Sequence, residues 1–385
     1  MSLPKFLVLL FTGSSFFSDA QQGLTIPLTA SPMAKIEQSI GLSTIGIDYS
    51  RPSITSPEGD DRRGKIWGSL VPYGLSNPIN GFGSGNPFPW RAGANENTTI
   101  TFSHRALVQG QAIPAGKYGL HIILNEDSTA TLIFSSNISS WGSFFYSSDE
   151  DVLRVNIRTI PVEFTERLTF DFTDLSETAA VVVLDWEFRR FPFEVDFDGY
   201  EIVYQSITDE LRGIKGFGWQ APYEAAQYCA DHNIHLDQAL LWINRSLESE
   251  KKFTNLFLKS ELLEMTGKSD ESSKTRDEAL NLPDASANNW YSAGRAMLDK
   301  FAASENDAER EKLSNESLTF FLAAEKKFKE EMLIQYGLTR AYSATGNFKK
   351  AIVCANKTKS LTDNGGTKQF VDGLIKKLEA GEDIN

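Results

Sequence analysis

The densest gathering of chemically capable side chains in this sequence is WRAGANENTTITF, Trp90 to Phe102, where Trp90, Arg91, Asn95 and Glu96 fall within seven residues. Gly93-Ala94 forms a turn that can bring Arg91 and Glu96 together. Arg51, in YSRPS, can join them from a neighbouring strand; Trp141 and Tyr146 add aromatic faces, and His121 sits mid-strand in GLHII. Two readings stand side by side. As a pocket, an arginine grips a carboxylate or phosphate at two points, Asn95 and Glu96 orient a hydroxyl, and tryptophan faces stack on a sugar ring. The candidate ligand-binding set is then Arg51, Trp90, Arg91, Asn95, Glu96, His121 and Trp141. As structure, a closed Arg91–Glu96 pair plugs one end of a sheet, Trp90 fills core volume and His121 is a satisfied strand histidine. Glu96 with Asp151 could work as an acid/base pair only at the right carboxylate separation, which spacing along the chain does not supply.

Other chemistry is sparse. The sequence holds no H-E-x-x-H zinc helix and no G-x-S-x-G nucleophile elbow. GQAIPAGKY mimics a phosphate loop but has Tyr118 where a magnesium-binding hydroxyl belongs, and it reads as a turn into a strand. Cys229, His232 and His235 have a C-x2-H-x2-H spacing that suits zinc, against a plainer reading as a junction between helices. No catalytic residue, metal or cofactor is expected from these motifs.

The elements that must carry these residues change character along the chain. TTITFS, ALVQGQAIPAG, KYGLHIILNEDSTATLIFSS, DVLRVNIRTIPV, RLTFDFTD and AAVVVLDWEFRRFPFEV are short alternating runs punctuated by Gly, Pro and Asn/Asp. Such spacing predicts an antiparallel sandwich or barrel. GLSNPINGFGSGNPFP, Gly74 to Pro89, is the longest irregular stretch and reads as an insertion, a lid or a mobile loop. Near residue 200 the period becomes helical: Ala239, Leu240, Trp242, Ile243 and Leu247 share one face. Thr266-Gly267-Lys268 and Gly346-Asn347-Phe348 each separate two helical runs, a helix–glycine turn–helix pattern that resembles degenerate tetratricopeptide repeats. NNWYSAGRAMLDKF and ESLTFFLAAEKKFKEEMLIQYG supply helices between them, and ENDAEREKLSNE reads as solvated helix or loop.

The chain has 385 residues, enough for two domains, and a formal net charge of -13. That charge argues against a nucleic-acid partner, which needs a basic footprint, and against adherence to anionic lipid. MSLPKFLVLLFTGSSFFSDA pairs Lys5 with an apolar run and small residues before a cut after Ala20, the pattern of a secretory signal. No later run has the length to span a membrane. The expected location is periplasmic or extracellular.

Several stretches together resemble the DUF2911 family of bacterial proteins of unknown function. They are IDYSRPSI (Ile47 to Ile54), IWGSLVPYG (Ile66 to Gly74), WRAGANENTTITF, IPAGKYGLHII (Ile113 to Ile123), TLIFSSNISSWGSFFY (Thr131 to Tyr146) and DVLRV (Asp151 to Val155). They fall in the family's order over most of residues 30 to 197. The resemblance implies a β-sandwich-like domain, export from a Bacteroidetes-like bacterium and, in some members, a C-terminal helical repeat region. It implies no reaction. The Gly74–Pro89 loop departs from the family's shorter passage from PYG to the Trp-Arg pair.

The expected architecture is α+β and multidomain: a signal peptide at 1–20, an antiparallel β-sandwich at 21–200 and α-helical, tetratricopeptide-like hairpins at 201–385. The expected function is a non-catalytic binding or scaffold protein. Its helical region would take a protein or peptide partner, and its sandwich a small polar or glycan ligand. The alternative is a cell-envelope hydrolase acting on glycans with Glu96 as acid or base.

Overall fold

The structure is a computed structural model that describes residues 30–385. The signal-peptide stretch lies outside the described residues. The chain divides into two compact units, Met1–Val203 and Tyr204–Asn385.

Among the described residues the first unit has ten strands: β1 (Met33–Ile40), β2 (Ser43–Ser50), β3 (Thr99–Phe102), β4 (Ala106–Val108), β5 (Gln111–Ile113), β6 (Gly116–Leu124), β7 (Thr129–Ser135), β8 (Asp151–Arg158), β9 (Ile160–Thr173) and β10 (Ala179–Phe197). They form a six-stranded sheet, β1-β2-β3-β6-β7-β8, and a four-stranded sheet, β5-β4-β10-β9. Every strand pair is antiparallel. β3 to β10 occupy the runs where alternation places strands. β1 and β2 were not anticipated, although Ile45, Ile47 and Tyr49 are buried in alternation with less buried Thr44, Gly46 and Asp48. Both sheets feed one core. Ile47, Ile100, Leu120 and Phe134 come from the first, and Phe170, Leu184, Phe193 and Val195 from the second. The β4–β5 turn uses Gln109 and Gly110, both at positive φ, as a two-residue hairpin favours.

Two departures from regular sheet position the candidate residues. On β6 both faces are buried from Tyr118 to Ile122, because the segment 136–147 lies over the face that alternation would leave to solvent. A Cβ at Gly119 would collide with the Asn137 carbonyl, so only glycine lets that cover sit so close. On β10 the register shifts around Glu187, a bulge residue at φ 58 that re-aims the neighbouring Trp186 into the core.

The Gly74–Pro89 stretch is folded onto itself rather than free. Ser76 and Phe88 exchange backbone hydrogen bonds at 2.8 and 3.1 Å, and Ser84 N–H donates to the Phe144 carbonyl at 2.9 Å. The rings of Phe82 and Phe88 each lie 5.1 Å from Phe144. These ring contacts and backbone bonds tie the stretch, read from composition as an insertion, a lid or a mobile loop, to the segment around Phe144.

α1 (Gly199–Glu210) crosses from the first unit to the second. The second unit continues with α2 (Gln220–His232), α3 (Leu236–Ser249), α4 (Phe253–Met265), α5 (Ser269–Leu280), α6 (Ala287–Ala303), α7 (Asp307–Lys327), α8 (Met332–Ala344), α9 (Phe348–Ser360) and α10 (Gly365–Glu379). Successive helices pack as hairpins, α2 with α3, α4 with α5, α6 with α7 and α8 with α9. The α4–α5 turn is a glycine-closed cap: Gly267 takes φ 77 and Lys268 N–H reaches back to the Leu263 carbonyl at 2.8 Å. Gly346 and the Asn347–Tyr342 bond, 2.9 Å, repeat it between α8 and α9. A Cβ on Gly294 or Gly337 would strike the Phe321 ring, so these glycines let α6 and α8 close around it. ENDAEREKLSNE forms the start of α7, capped by Asn306, whose side chain accepts from Glu309 N–H. The run ESLTFFLAAEKKFKEEMLIQYG is broken, α7 ending at Lys327 and α8 starting at Met332. This arrangement of hairpins is tetratricopeptide-like.

Candidate functional site

Trp90 to Thr98 leaves the sheet and returns to it. Trp90 exchanges backbone bonds with Ile122 at 2.9 and 2.8 Å, and Leu120 N–H donates to the Thr98 carbonyl at 2.8 Å. Between these anchors the chain bulges outward, with Ala92 and Asn95 in the left-handed region at φ 52 and 57. Asparagine tolerates that region because its short amide bonds locally. Here the Asn95 amide donates to the Ser31 carbonyl at 3.2 Å.

Arg91 and Glu96 do not form the expected pair. Arg91 Nη1 donates to the Asn95 carbonyl at 2.6 Å, and its Cζ lies 4.7 Å from the centre of the Phe144 ring. On the other side Gly142 presses against the guanidinium so closely that a Cβ would not fit. Arg91 is thus a wedge that holds the 136–147 cover in place. Burial pulls its proton affinity below the usual arginine value. Glu96 accepts from the Ser50 hydroxyl at 3.4 Å instead. The turn does not close a pair because the left-handed Ala92 and Asn95 point the two side chains to different neighbours.

The other sequence candidates scatter. Arg51 donates to the Leu168 carbonyl at 3.0 Å and to Thr169 Oγ1 at 2.6 Å, tying β9 down rather than joining Arg91. Trp141 is half exposed and stands apart from the tryptophan cluster. Trp90 does enter that cluster, 5.8 Å from Trp67 and stacked at 17° on Trp186, 6.2 Å away. His121 is buried beneath the cover, its Nδ1 hydrogen-bonded to Ser143 Oγ at 2.9 Å and its ring edge-on to Tyr146 at 5.7 Å. Burial, and then the Arg91 charge, drives its pKa down to about 4, so the imidazole is neutral at physiological pH. Asp151 serves a separate network: Tyr146 Oη donates to it at 2.8 Å and Arg154 Nε at 2.6 Å. Burial, reinforced by Asp151, pushes the Tyr146 hydroxyl up to about 12.

Trp90, Arg91 and Asn95 line a cavity of about 380 Å³, whose lining does not include Arg51, Glu96, His121 or Trp141. Arg62, Phe88 and Trp186 complete its character and were not anticipated. Trp186 carried a signal: LDWEFRRF breaks the alternation of β10 at the bulge. Arg62 lies well before Trp90 in the sequence and Phe88 only two residues before it, both in irregular chain where periodicity carries no information.

A second cavity of about 380 Å³ lies in the helical unit, between α2, α4, α5 and α6. Small and flexible apolar residues, Ala293, Ala296, Met265 and Met297, form part of its wall. Asp231, Glu261, Glu264, Arg276 and Lys300 supply charge, and no ion pair joins them among the described residues. Burial raises the Glu261 proton affinity, against the opposing charge of Arg276. The buried Arg276 Nε has no acceptor. Cys229, His232 and His235 mark the α2–α3 junction, with Asn233 and His235 at φ 52 and 45. His235 stacks on Tyr204 at 3.8 Å. Among the described residues no group of three or more His, Cys, Asp or Glu could hold a metal ion. None of the helices described is long and apolar enough to cross a membrane.

The fold and these cavities define a two-sheet antiparallel domain joined to a tetratricopeptide-like helical array. Residues 31–195, within the β unit, match the sequence model of the family described as "Protein of unknown function (DUF2911)". No curated protein matches. Among solved structures the chain is similar to YrrB, described as a TPR protein with an unusual peptide-binding site, at 12% identity over 45% of this chain and 84% of that one, with a TM-score of 0.30. It is also similar to a tetratricopeptide repeat protein from Parabacteroides merdae, at 14% identity over 48% of this chain and 81% of that one, with a TM-score of 0.23. Likeness at this level carries no weight beside the hairpins themselves.

Proposed function

We propose that this chain is an exported, non-catalytic binding protein whose helical unit docks a segment of a partner protein in the groove between α2, α4 and α6. The observation that carries the reading is the charge left open in that groove: Asp231, Glu261 and Glu264 face Arg276 and Lys300 without an ion pair among the described residues. Charges held in a concave site and not spent on one another are available to a ligand. The adjacent methionines and alanines suit an apolar side chain between charged contacts. Panning a displayed peptide library on the full chain tests this. Enriched peptides should combine an apolar residue with charge of both signs, and Glu261→Lys or Lys300→Glu should weaken their binding by roughly tenfold or more. Enriched peptides that bind both variants as well as the parent would end the proposal.

A further inference from the structure

The cavity of the β unit has a charge pattern at odds with the chain around it. The protein carries a net charge of -13, yet no Asp or Glu is found among the described residues that line this cavity. The formal charges among those described residues are Arg62 and Arg91. Neither has a carboxylate partner among the described residues. Arg62 gives Nε to the Ile54 carbonyl at 3.2 Å and Nη2 to the Ser53 carbonyl at 3.1 Å, and Arg91 gives Nη1 to the Asn95 carbonyl. A guanidinium has five N–H donors, so Arg62 retains capacity after its two bonds, and the packed Arg91 adds positive charge. A partly buried cation with no counter-ion is costly, and an anionic ligand would relieve that cost.

The remaining walls describe the body of the ligand. Trp90 and Phe88 present aromatic surface. Trp186, only 1% exposed, backs the wall and holds an indole N–H with no acceptor. Pro52, Pro57, Pro72 and Pro89 line the site too and contribute no N–H. A tetrahedral phosphate is usually cradled by several converging backbone N–H groups, and the four prolines leave fewer of them here. A planar carboxylate needs only a guanidinium fork.

We infer that the cavity between Arg62, Arg91 and Trp90 binds a small organic carboxylate with a flat, mainly apolar body. The volume, about 380 Å³, lies within the range of small-molecule sites. This site is independent of the peptide groove proposed above, and either can fail without the other.

The experiment is calorimetric titration of the full chain with cinnamate, cinnamamide and phenyl phosphate, followed in parallel by tryptophan fluorescence. Cinnamate should bind, and the neutral amide and the phosphate should each bind at least ~10-fold more weakly. Arg91→Met risks loosening the 136–147 cover, so the informative variants change Leu70, a rim residue 49% exposed. Leu70→Glu should weaken cinnamate at least ~5-fold by like-charge repulsion, while Leu70→Gln keeps it within ~2-fold. Arg62→Gln should weaken it as well. Equal binding of acid and amide, tighter binding of the phosphate, no binding of cinnamate, or indifference to Leu70→Glu would each overturn the assignment.

Discussion

The two units bury their apolar residues in opposite ways. In the β unit one continuous cluster runs from Ile40 to Phe197 and draws on both sheets. In the helical unit the buried residues described fall into three clusters, around Trp242 and Leu262, around Trp290 and Ile334, and around Leu298 and Phe321. The contrast follows from connectivity. β10 pairs with β4 across the chain, Val195 opposite Val108, so the sheets hold only when distant segments meet. Hairpins of helices contact their neighbours, so each cluster closes locally. Damage should therefore spread through the first unit and stay contained in the second.

The largest test strikes the shared core. Trp186 is 1% exposed and packs on Trp67 and Trp90, and Phe191 lies against both of those indoles. Trp186→Ala should cost about 3 to 5 kcal/mol in denaturant unfolding. Hydrogen exchange should show the loss across both sheets. Loss of protection in β9 and β10 alone would mean that the core is not one cooperative body.

A pH titration probes the same unit through His121. Its folded pKa of about 4 lies below the unfolded value near 6.5, so between those limits the unfolded chain binds more protons. Stability is therefore full above about pH 6.5 and falls as the pH drops toward about 4, by up to about 3 kcal/mol from this residue. His121→Asn keeps a polar partner for Ser143 and removes the titration. Its stability curve should be flatter than the parent's over that window, and identical curves would show that His121 is not buried as a neutral ring.

In the helical unit, Gly337→Ala places a methyl group against Phe321 and should cost about 1 to 3 kcal/mol. Exchange should quicken in α6, α7 and α8 while α2 and α3 keep their protection. Uniform loss along the array would erase the contrast between the units. The smallest effect is expected from Glu96→Gln, about 0.5 kcal/mol or less, because Glu96 meets only the Ser50 hydroxyl at 3.4 Å among the bonds described. A loss of several kcal/mol in urea unfolding would restore the closed ion-pair plug that the sequence invites.

How much was legible differs by residue. The strand runs from TTITFS to FPFEV were readable because alternation records one buried face, and Gly267 and Gly346 because a left-handed turn demands glycine. The hairpin of β1 and β2 escaped notice because Lys35, Glu37 and Gln38 make β1 an exposed edge strand. Of the candidate site, Trp90, Arg91 and Asn95 meet at the cavity, whereas Arg51, Glu96, His121 and Trp141 were grouped with them by type and proximity alone.

The sequence by itself determined the two-part order of the chain, its acidic character and the places where helices must turn, since each rests on local composition and period. Only the tertiary structure decided that Arg91 wedges between Gly142 and Phe144 instead of pairing with Glu96. It alone brought Arg62 and Trp186 beside Trp90. Side-chain partnership depends on backbone dihedrals and on segments a hundred residues apart, and no local pattern encodes either.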